Sequence, residues 1–400
     1  MKTFKVTTAG MMMVLLAGPT SLRAGDWDLT GFVDLSNRVF PETGRFAAQD
    51  SRASTSLVAQ SEFYWQGSND RARFSAVAFG RVDSDDGERS HTDLREANFG
   101  ISADGWDINV GVNKVFWGVT ESRHLVDVIN QTDLVEDPDE EAKLGQPMIN
   151  LNLDRDFGRF EIYVLPRFRE RTFPGPSGRL RTPVPVDADA AIFESTDGKR
   201  HTDVSLRYSH YFGNLDIGAY VFDGTSREPG FELADDMTSL APVYEQMQQI
   251  GVDAQLTRDS WLWKLEAIRR DANSDSFVAA VTGVEYTLFG VRGSAADVGL
   301  LFEYLYDGRA FSAPPTAFEN DIFLGSRVAL NDVGDTSVLA GAIVDVDTRE
   351  SFLNIEAERR LGDRLKLDLK LRMFGNAHPS SATHSLESDD YLQLAVSWYY

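Results

Sequence analysis

From Gly25 onward the chain alternates apolar and polar residues with period two, in segments of about ten residues separated by turn chemistry. Leu365, Leu367, Leu369, Leu371 and Met373 oppose Lys366, Asp368, Lys370 and Arg372. A helix would scatter those leucines around its circumference, whereas a strand puts them all on one side. Trp106, Ile108, Val110 and Val112 oppose Asp107, Asn109, Gly111 and Asn113 in the same way, and Leu215, Ile217, Ala219 and Val221 oppose Asp216, Gly218 and Tyr220. The pattern predicts eighteen strands, near 26–37, 55–66, 70–82, 92–102, 105–115, 146–154, 158–170, 202–212, 214–223, 247–257, 260–270, 277–288, 296–307, 320–331, 335–347, 350–361, 364–374 and 389–400.

The connections alternate in length. Short ones fall at 67–69, 103–104, 155–157, 213, 258–259, 289–295, 332–334 and 362–363. Longer or more polar ones lie between them at 38–54, 83–91, 116–145, 171–201, 224–246, 271–276, 308–319 and 375–388; only the link around Thr348 is short where length is expected. Tight turns at one end, long loops at the other and an even strand count predict an all-β fold, a closed transmembrane antiparallel β-barrel. Closure is a physical requirement, because hydrocarbon leaves no backbone N–H or C=O a water partner and a cylinder has no edge. The alternative, a soluble multi-sheet β-protein, needs polar outward faces and apolar inward ones. Here one apolar parity repeats around the chain, and no second one is evident to fill an interior. Phe63, Trp65, Trp261, Trp263, Tyr304, Tyr306, Trp398 and Tyr400 lie on that parity near strand ends, where an interfacial belt needs them.

Composition excludes several functions. With 39 basic against 62 acidic residues and a formal charge of −23, the chain offers no cationic face for a phosphate backbone, so nucleic acid is not an expected partner. The absence of cysteine rules out disulfides, thiolate zinc sites and a cysteine nucleophile. The first residues follow the order of a secretory signal peptide: Lys2 and Lys5, an apolar stretch from Ala9 to Ala17, Pro19 and the small Ala24. Leu22 departs from the small residue usual three positions before cleavage. The expected division is a signal peptide over 1–24 and a single barrel domain over 25–400, addressed to the bacterial outer membrane.

The last ten residues place Leu392, Leu394, Val396, Trp398 and the terminal Tyr400 on the apolar parity. This resembles the C-terminal signature of bacterial outer-membrane barrel proteins, which their insertion machinery reads, although phenylalanine is the commoner last residue. Over residues 25–400 the architecture is similar to the porins, especially eighteen-stranded, substrate-preferring ones. The resemblance implies passive diffusion of small hydrophilic solutes, no cofactor, contact with outer-membrane lipid and lipopolysaccharide, and a third long loop folded into the lumen. It leaves homotrimer and monomer both open. No globular plug precedes the first strand, which disfavours energised uptake.

Transport through a barrel is set by what lines and narrows its lumen. The 116–145 loop carries the candidate pore constriction: Glu121, Arg123, His124, Asp127 and Asp133, followed by acids from Glu136 to Glu141. Residues 125–130 would permit a short helix, with Leu125, Val126 and Ile129 packing on the wall. The alternative is an ordinary extracellular loop whose acids are solvated or hold divalent cations. A basic track is expected from Arg167, Arg169 and Arg171, placed on one side by alternation, with Arg207 and Arg372; it would draw carboxylate or phosphate solutes by bidentate hydrogen bonding. Acids including Asp203, Glu266, Glu303, Asp307, Glu356 and Glu358 also fall on the inward parity. The competing reading is that these charges pair across strands and keep the wall rigid.

Enzyme readings are weak. Ser122, His124 and Asp127 crowd one stretch, but adjacency in sequence is not triad geometry. Glu121 and His124 could share a metal only on a helix with further ligands; no metal is expected. The expected function is a non-enzymatic porin-like channel for small hydrophilic solutes, anionic ones among them. A non-conducting structural or surface-binding barrel is the alternative, and an outer-membrane hydrolase a remote one.

Overall fold

A computed structural model of the chain describes residues 26–379 and 381–400; the expected leader, 1–24, lies outside the described residues. The alternating segments form β1 (Asp26–Val39), β2 (Ala53–Gln66), β3 (Ala72–Asp83), β4 (Thr92–Ala103), β5 (Trp106–Asn113), β6 (Gln146–Arg155) and β7 (Gly158–Leu165). The short β8 (Ile192–Phe193) lies in a loop before β9 (Asp203–Phe212) and β10 (Leu215–Thr225). Two further loop strands follow, β11 (Gly230–Leu233) and β12 (Leu240–Tyr244). The wall continues with β13 (Gln246–Arg258), β14 (Trp261–Ala272), β15 (Ser276–Leu288), β16 (Asp297–Asp307), β17 (Asn320–Ala329), β18 (Ser337–Asp345), β19 (Ser351–Leu361), β20 (Leu365–Gly375) and β21 (Tyr391–Tyr399).

Eighteen of these make one antiparallel sheet in which each strand pairs with its neighbours in the chain, and β1 pairs with both β2 and β21. The cylinder is closed. β8, β11 and β12 form a separate three-stranded sheet at the long-loop end. Among the described residues no helix is long and apolar enough to cross a membrane; the strands do the crossing. β7 ends at Leu165 rather than near 170, because Pro166 has no N–H to continue the ladder. The link between β14 and β15, residues 273–275, is also shorter than expected.

The outward parity is apolar all the way round. In register, Leu35 lies beside Leu57 and Trp27 beside Trp65, all four with exposed or half-exposed side chains. Val110, Leu206, Val221, Ile250, Leu300, Leu324 and Leu394 continue the surface. At the short-turn end Trp261 stacks on Trp263 at 5.9 Å and Trp398 meets Tyr400 at 5.7 Å, aromatic groups at the depth of a membrane interface.

The inward parity corrects one expectation. It is not polar throughout: Tyr220 and Phe222 on β10, Ile268 on β14, Val281 on β15, and Leu301 and Leu305 on β16 join one buried apolar cluster with Trp117, Leu125, Val126, Val128 and Ile129. Leu300, Leu301 and Phe302 read as a plain apolar run, and a run that is apolar on both faces hides its second parity. A register shift between Val77 and Ala78 adds a bulge in β4 opposite, which turns both Arg95 and Glu96 inward.

Candidate functional site: the segment across the lumen

Residues 114–145 leave β5 and are shaped by two side chains. Asn130 Oδ1 accepts from Val115 N–H at 2.9 Å, while its Nδ2 donates to the carbonyls of Asn113 and Leu144. Asp127 Oδ1 accepts from Trp117 N–H at 2.6 Å and Gly118 N–H at 3.0 Å. The short helix expected over 125–130 does not form; its backbone is held by the wall and the neighbouring loop instead, Val126 N–H by Glu266 and the Leu125 and Ile129 carbonyls by Gln249 and Arg227. Gly118 is required for space: a Cβ there would lie 2.2 Å from His124 Nδ1.

The segment is then pinned to opposite walls. Trp117 packs on Tyr163 and Tyr220 beneath the Arg207 guanidinium. Glu266 of β14 accepts from Val119 N–H (2.7 Å), Thr120 N–H (3.0 Å), Thr120 Oγ1 (2.7 Å) and Val126 N–H (3.2 Å). Glu303 of β16 accepts from Glu121 N–H, Ser122 N–H and Ser122 Oγ. Farther along, Asp133 meets Arg95 of β4 at 3.2 Å, Glu136 meets Arg81 of β3 at 2.6 Å, and Asp137 meets Lys370 of β20 at 2.7 Å. All of these partners face inward, so the segment lies across the lumen.

Burial tunes its ionisable groups. Burial alone would lower His124, but the carboxylates of Glu141 at 3.0 Å and Glu266 at 3.6 Å hold the imidazole protonated, up to about 11. Burial and the neighbouring Asp137 raise Asp139 to about 7. Burial also opposes the charge on Asp137, yet Lys370 and Arg372 hold it well below the usual carboxylate range.

Of the candidate constriction residues, Glu121 pairs with Arg327 at 2.5 Å, Arg123 with Asp307 at 3.1 Å, and His124 with Glu141 at 3.0 Å. Asp127 shapes the backbone, and Asp133 is wholly buried against Arg95 and Thr172. Glu121, Arg123, His124 and Asp127 border one cavity; Asp133 does not. The candidate basic track does not form a free cationic face. Arg207 makes a bidentate pair with Asp253 (2.6 and 2.9 Å), Arg372 is fully buried against Asp139 and Glu356, Arg171 meets Glu140 and Arg169 meets Asp93. Arg167 is exposed past Pro166, while the adjacent Phe168 turns in against Tyr244 at 4.8 Å; once the strand ends, alternation no longer places the three arginines together.

Two cavities flank the segment. One of about 570 Å³ lies between it and β17–β20. The other, about 400 Å³, sits toward the short turns against β3–β7, where Arg73, Asn109, Asn150 and Asn152 form a polar ladder under the exposed ring of Phe116. Sequence reasoning missed the larger cavity; its signal is a pair of inward glycines, Gly325 and Gly341, where a filled wall would carry side chains.

No family model and no curated protein matches the chain. Solved structures do. OccD3 (OpdP) of Pseudomonas aeruginosa superposes with a TM-score of 0.50 at 9% identity, covering 93% of this chain and 91% of that one. Wzi of Escherichia coli, described as a carbohydrate-binding β-barrel involved in group 1 capsule assembly, gives 0.53 at 9% identity over 91% and 83%. The chain folds as a bacterial outer-membrane β-barrel. At such identities the likeness carries the fold alone.

Within this outer-membrane barrel the residues Ser122, His124 and Asp127 engage separate partners. Ser122 Oγ donates to Glu303, His124 faces Glu141 and Glu266, and Asp127 holds amides. His91, Asp133 and Glu136 gather within 4.8 Å of one another, but Arg95 and Arg81 already hold the two carboxylates. Burial opposes a charge on His91, while the carboxylates of Asp133 and Glu136 raise its pKa.

Proposed function

We propose that the barrel is a porin-like channel that lets small hydrophilic solutes diffuse passively, without covalent chemistry. The observation that carries this reading is the wet inner face of β17–β20. Toward the short turns the inward side chains of Arg327, Glu358, Lys366 and Asp368 are 46, 45, 22 and 28% exposed. Toward the long loops the same strands line the 570 Å³ cavity. Selection would come from width beside the crossing segment and from mixed charge along this strip. The purified barrel in a planar bilayer is expected to give discrete conductance steps; a folded barrel that passes neither ions nor solutes overturns the reading.

A second reading, a closed surface-binding barrel, draws support from the cover of loops. Arg179 is buried with Asp389 at 2.5 Å and stacks on Phe40 at 4.3 Å, while Gln49 donates to the Gly178 carbonyl. Residues 174–183 thereby lock the first and last long loops together. Silent bilayers with retained surface binding would favour it.

A further inference from the structure

On β17–β20 the inward residues stack in rows. Phe323, Ile343, Phe352 and Phe374 lie side by side in register across the four strands, and all four border the larger cavity. One row toward the short turns stand Gly325 and Gly341, and both would collide with the Phe323 ring if they carried a Cβ, at 2.7 and 2.3 Å. The ring therefore lies flat on the wall over two glycines, with its other face available to the cavity. Phe352 and Phe374 meet at 5.2 Å and extend the shelf.

One row toward the long loops stand Asp321 and Asp345. Asp345 spends its Oδ1 on the amides of Asp347 and Thr348 and the Thr348 hydroxyl. Asp321 is 2% exposed and borders the cavity, and its Oδ2 has no hydrogen-bond partner among the described residues. Glu350, bound to Ser381, adds a second carboxylate at this end of the cavity.

The arginines of the cavity wall are already engaged. Arg123 pairs with Asp307, Arg171 with Glu140, Arg227 with Asp203 and Arg270 with Glu228, while Arg181 is spent on the carbonyls of Pro176, Thr182, Pro183 and Ala47. Among the described residues anionic solutes thus find no uncommitted guanidinium on this wall and only the Lys143 ammonium, which reaches the Thr132 hydroxyl at 3.4 Å, whereas the unmet Asp321 Oδ2 calls for a hydrogen-bond donor carrying positive charge. Arg123 lies over Phe318 at 5.4 Å in the same cavity, so a cation on an aromatic face is already part of its chemistry.

We propose that this cavity seats a small organic cation, an alkylammonium or alkylguanidinium, with its stem on the Phe323–Phe374 shelf and its charged head at Asp321. This names the solute class for the channel proposed above and rests on that reading. Burying an unpaired carboxylate is unfavourable, and a bound cation removes that cost.

The test uses three probes with one stem, n-butylammonium, n-butanol and butyrate, against the folded full-length barrel in detergent by saturation-transfer NMR, and separately as current blockers in bilayers. Butylammonium is expected to bind at least about tenfold more tightly than the other two. Asp321→Asn should bring it to the level of butanol, and Phe323→Leu should weaken it with the charge preference kept. Equal binding of all three, preference for butyrate, or an Asp321→Asn barrel that still prefers the cation overturns the proposal. If that variant does not fold, the wild-type series and Glu350→Gln, expected to reduce the preference in part, decide. Conductance without cation preference ends this proposal and leaves the channel; cation preference in a silent barrel ends the channel and leaves the site.

Discussion

The two sides of the lumen are built from the same strand pattern and end up opposite in character. Along β10–β16 the inward Tyr220, Phe222, Ile268, Leu301 and Leu305 meet Trp117, Leu125, Val126 and Ile129, and two carboxylates, Glu266 and Glu303, anchor the crossing backbone. Along β17–β20 glycines stand inward, Phe323 lies flat, and the polar groups toward the short turns, Arg327, Glu358, Lys366 and Asp368, face water. The difference lies in what the third long loop brings. It packs its apolar residues against one wall, where Asp307 and Glu266 also hold its Arg123 and His124, and leaves a cavity before the other. The barrel is thus half filled rather than evenly narrowed.

Cutting the anchor should break this asymmetry most. Glu266→Ala leaves the amides of Val119, Thr120 and Val126 without their acceptor and His124 without one of its two carboxylates. Loss of one partner from so buried a cluster costs on the order of 3–5 kcal/mol. The segment should detach from the β14 wall. The expected outcome is a lower urea midpoint together with larger, noisier single-channel conductance; unchanged conductance with an unchanged midpoint would mean that the apolar cluster alone holds the segment.

A matched pair of glycines sharpens the contrast. A Cβ at Gly251 would meet Tyr220 at 2.3 Å, and one at Gly341 would meet Phe323 at 2.3 Å. Tyr220 is locked beneath Trp117 and bonded to Gln249, so Gly251→Ala should cost about 1–3 kcal/mol, as overpacking does. Phe323 has the cavity to move into, so Gly341→Ala should cost less stability but lower conductance as the ring swings into the path. Denaturation and single-channel recordings on both variants separate the two sides; equal behaviour would erase the distinction.

The wall was legible and the filling was not. Strand positions, closure and the outward face follow from period-two alternation, because lipid demands one apolar parity all round. The inward face carries no such constraint. Glu266 and Glu303 were readable as inward acids, but their roles as acceptors for a segment about 140–180 positions away depend on how that loop folds. Arg167, Arg169 and Arg171 look like a ladder only while the strand continues, and Pro166 stops it. Phe323 reads as one more apolar residue until its register with Ile343, Phe352 and Phe374 is known.

The His124 proton gives a gentler lever on the packed side. Its folded pKa, up to about 11, stands above the ordinary histidine value near 6.5, so its contribution is complete below about pH 6.5 and is lost as pH rises through about 11. Alkaline titration should therefore loosen the segment where Glu141 and Glu266 hold the ring. Conductance should rise progressively above neutrality and reversibly return on acidification, with His124→Gln flattening the profile. A profile identical in that variant would assign the change to other groups.

The smallest effect is expected on the wet side. Lys366 lies 2.6 Å from Glu358 and 2.9 Å from Asp368, with all three side chains in contact with solvent. Water screens such pairs, and their net worth is about 0–1 kcal/mol, so Lys366→Gln should leave stability within error. Its charge nonetheless stands beside the proposed path, and removing it leaves Glu358 and Asp368 facing the lumen together. Reversal potentials across a salt gradient should shift modestly toward cation preference, and the shift should shrink at high ionic strength as the Debye length contracts. Were the same substitution to lower the unfolding midpoint and leave the reversal potential alone, the strip would be scaffold rather than channel, and the path would have to run along β3–β7 instead.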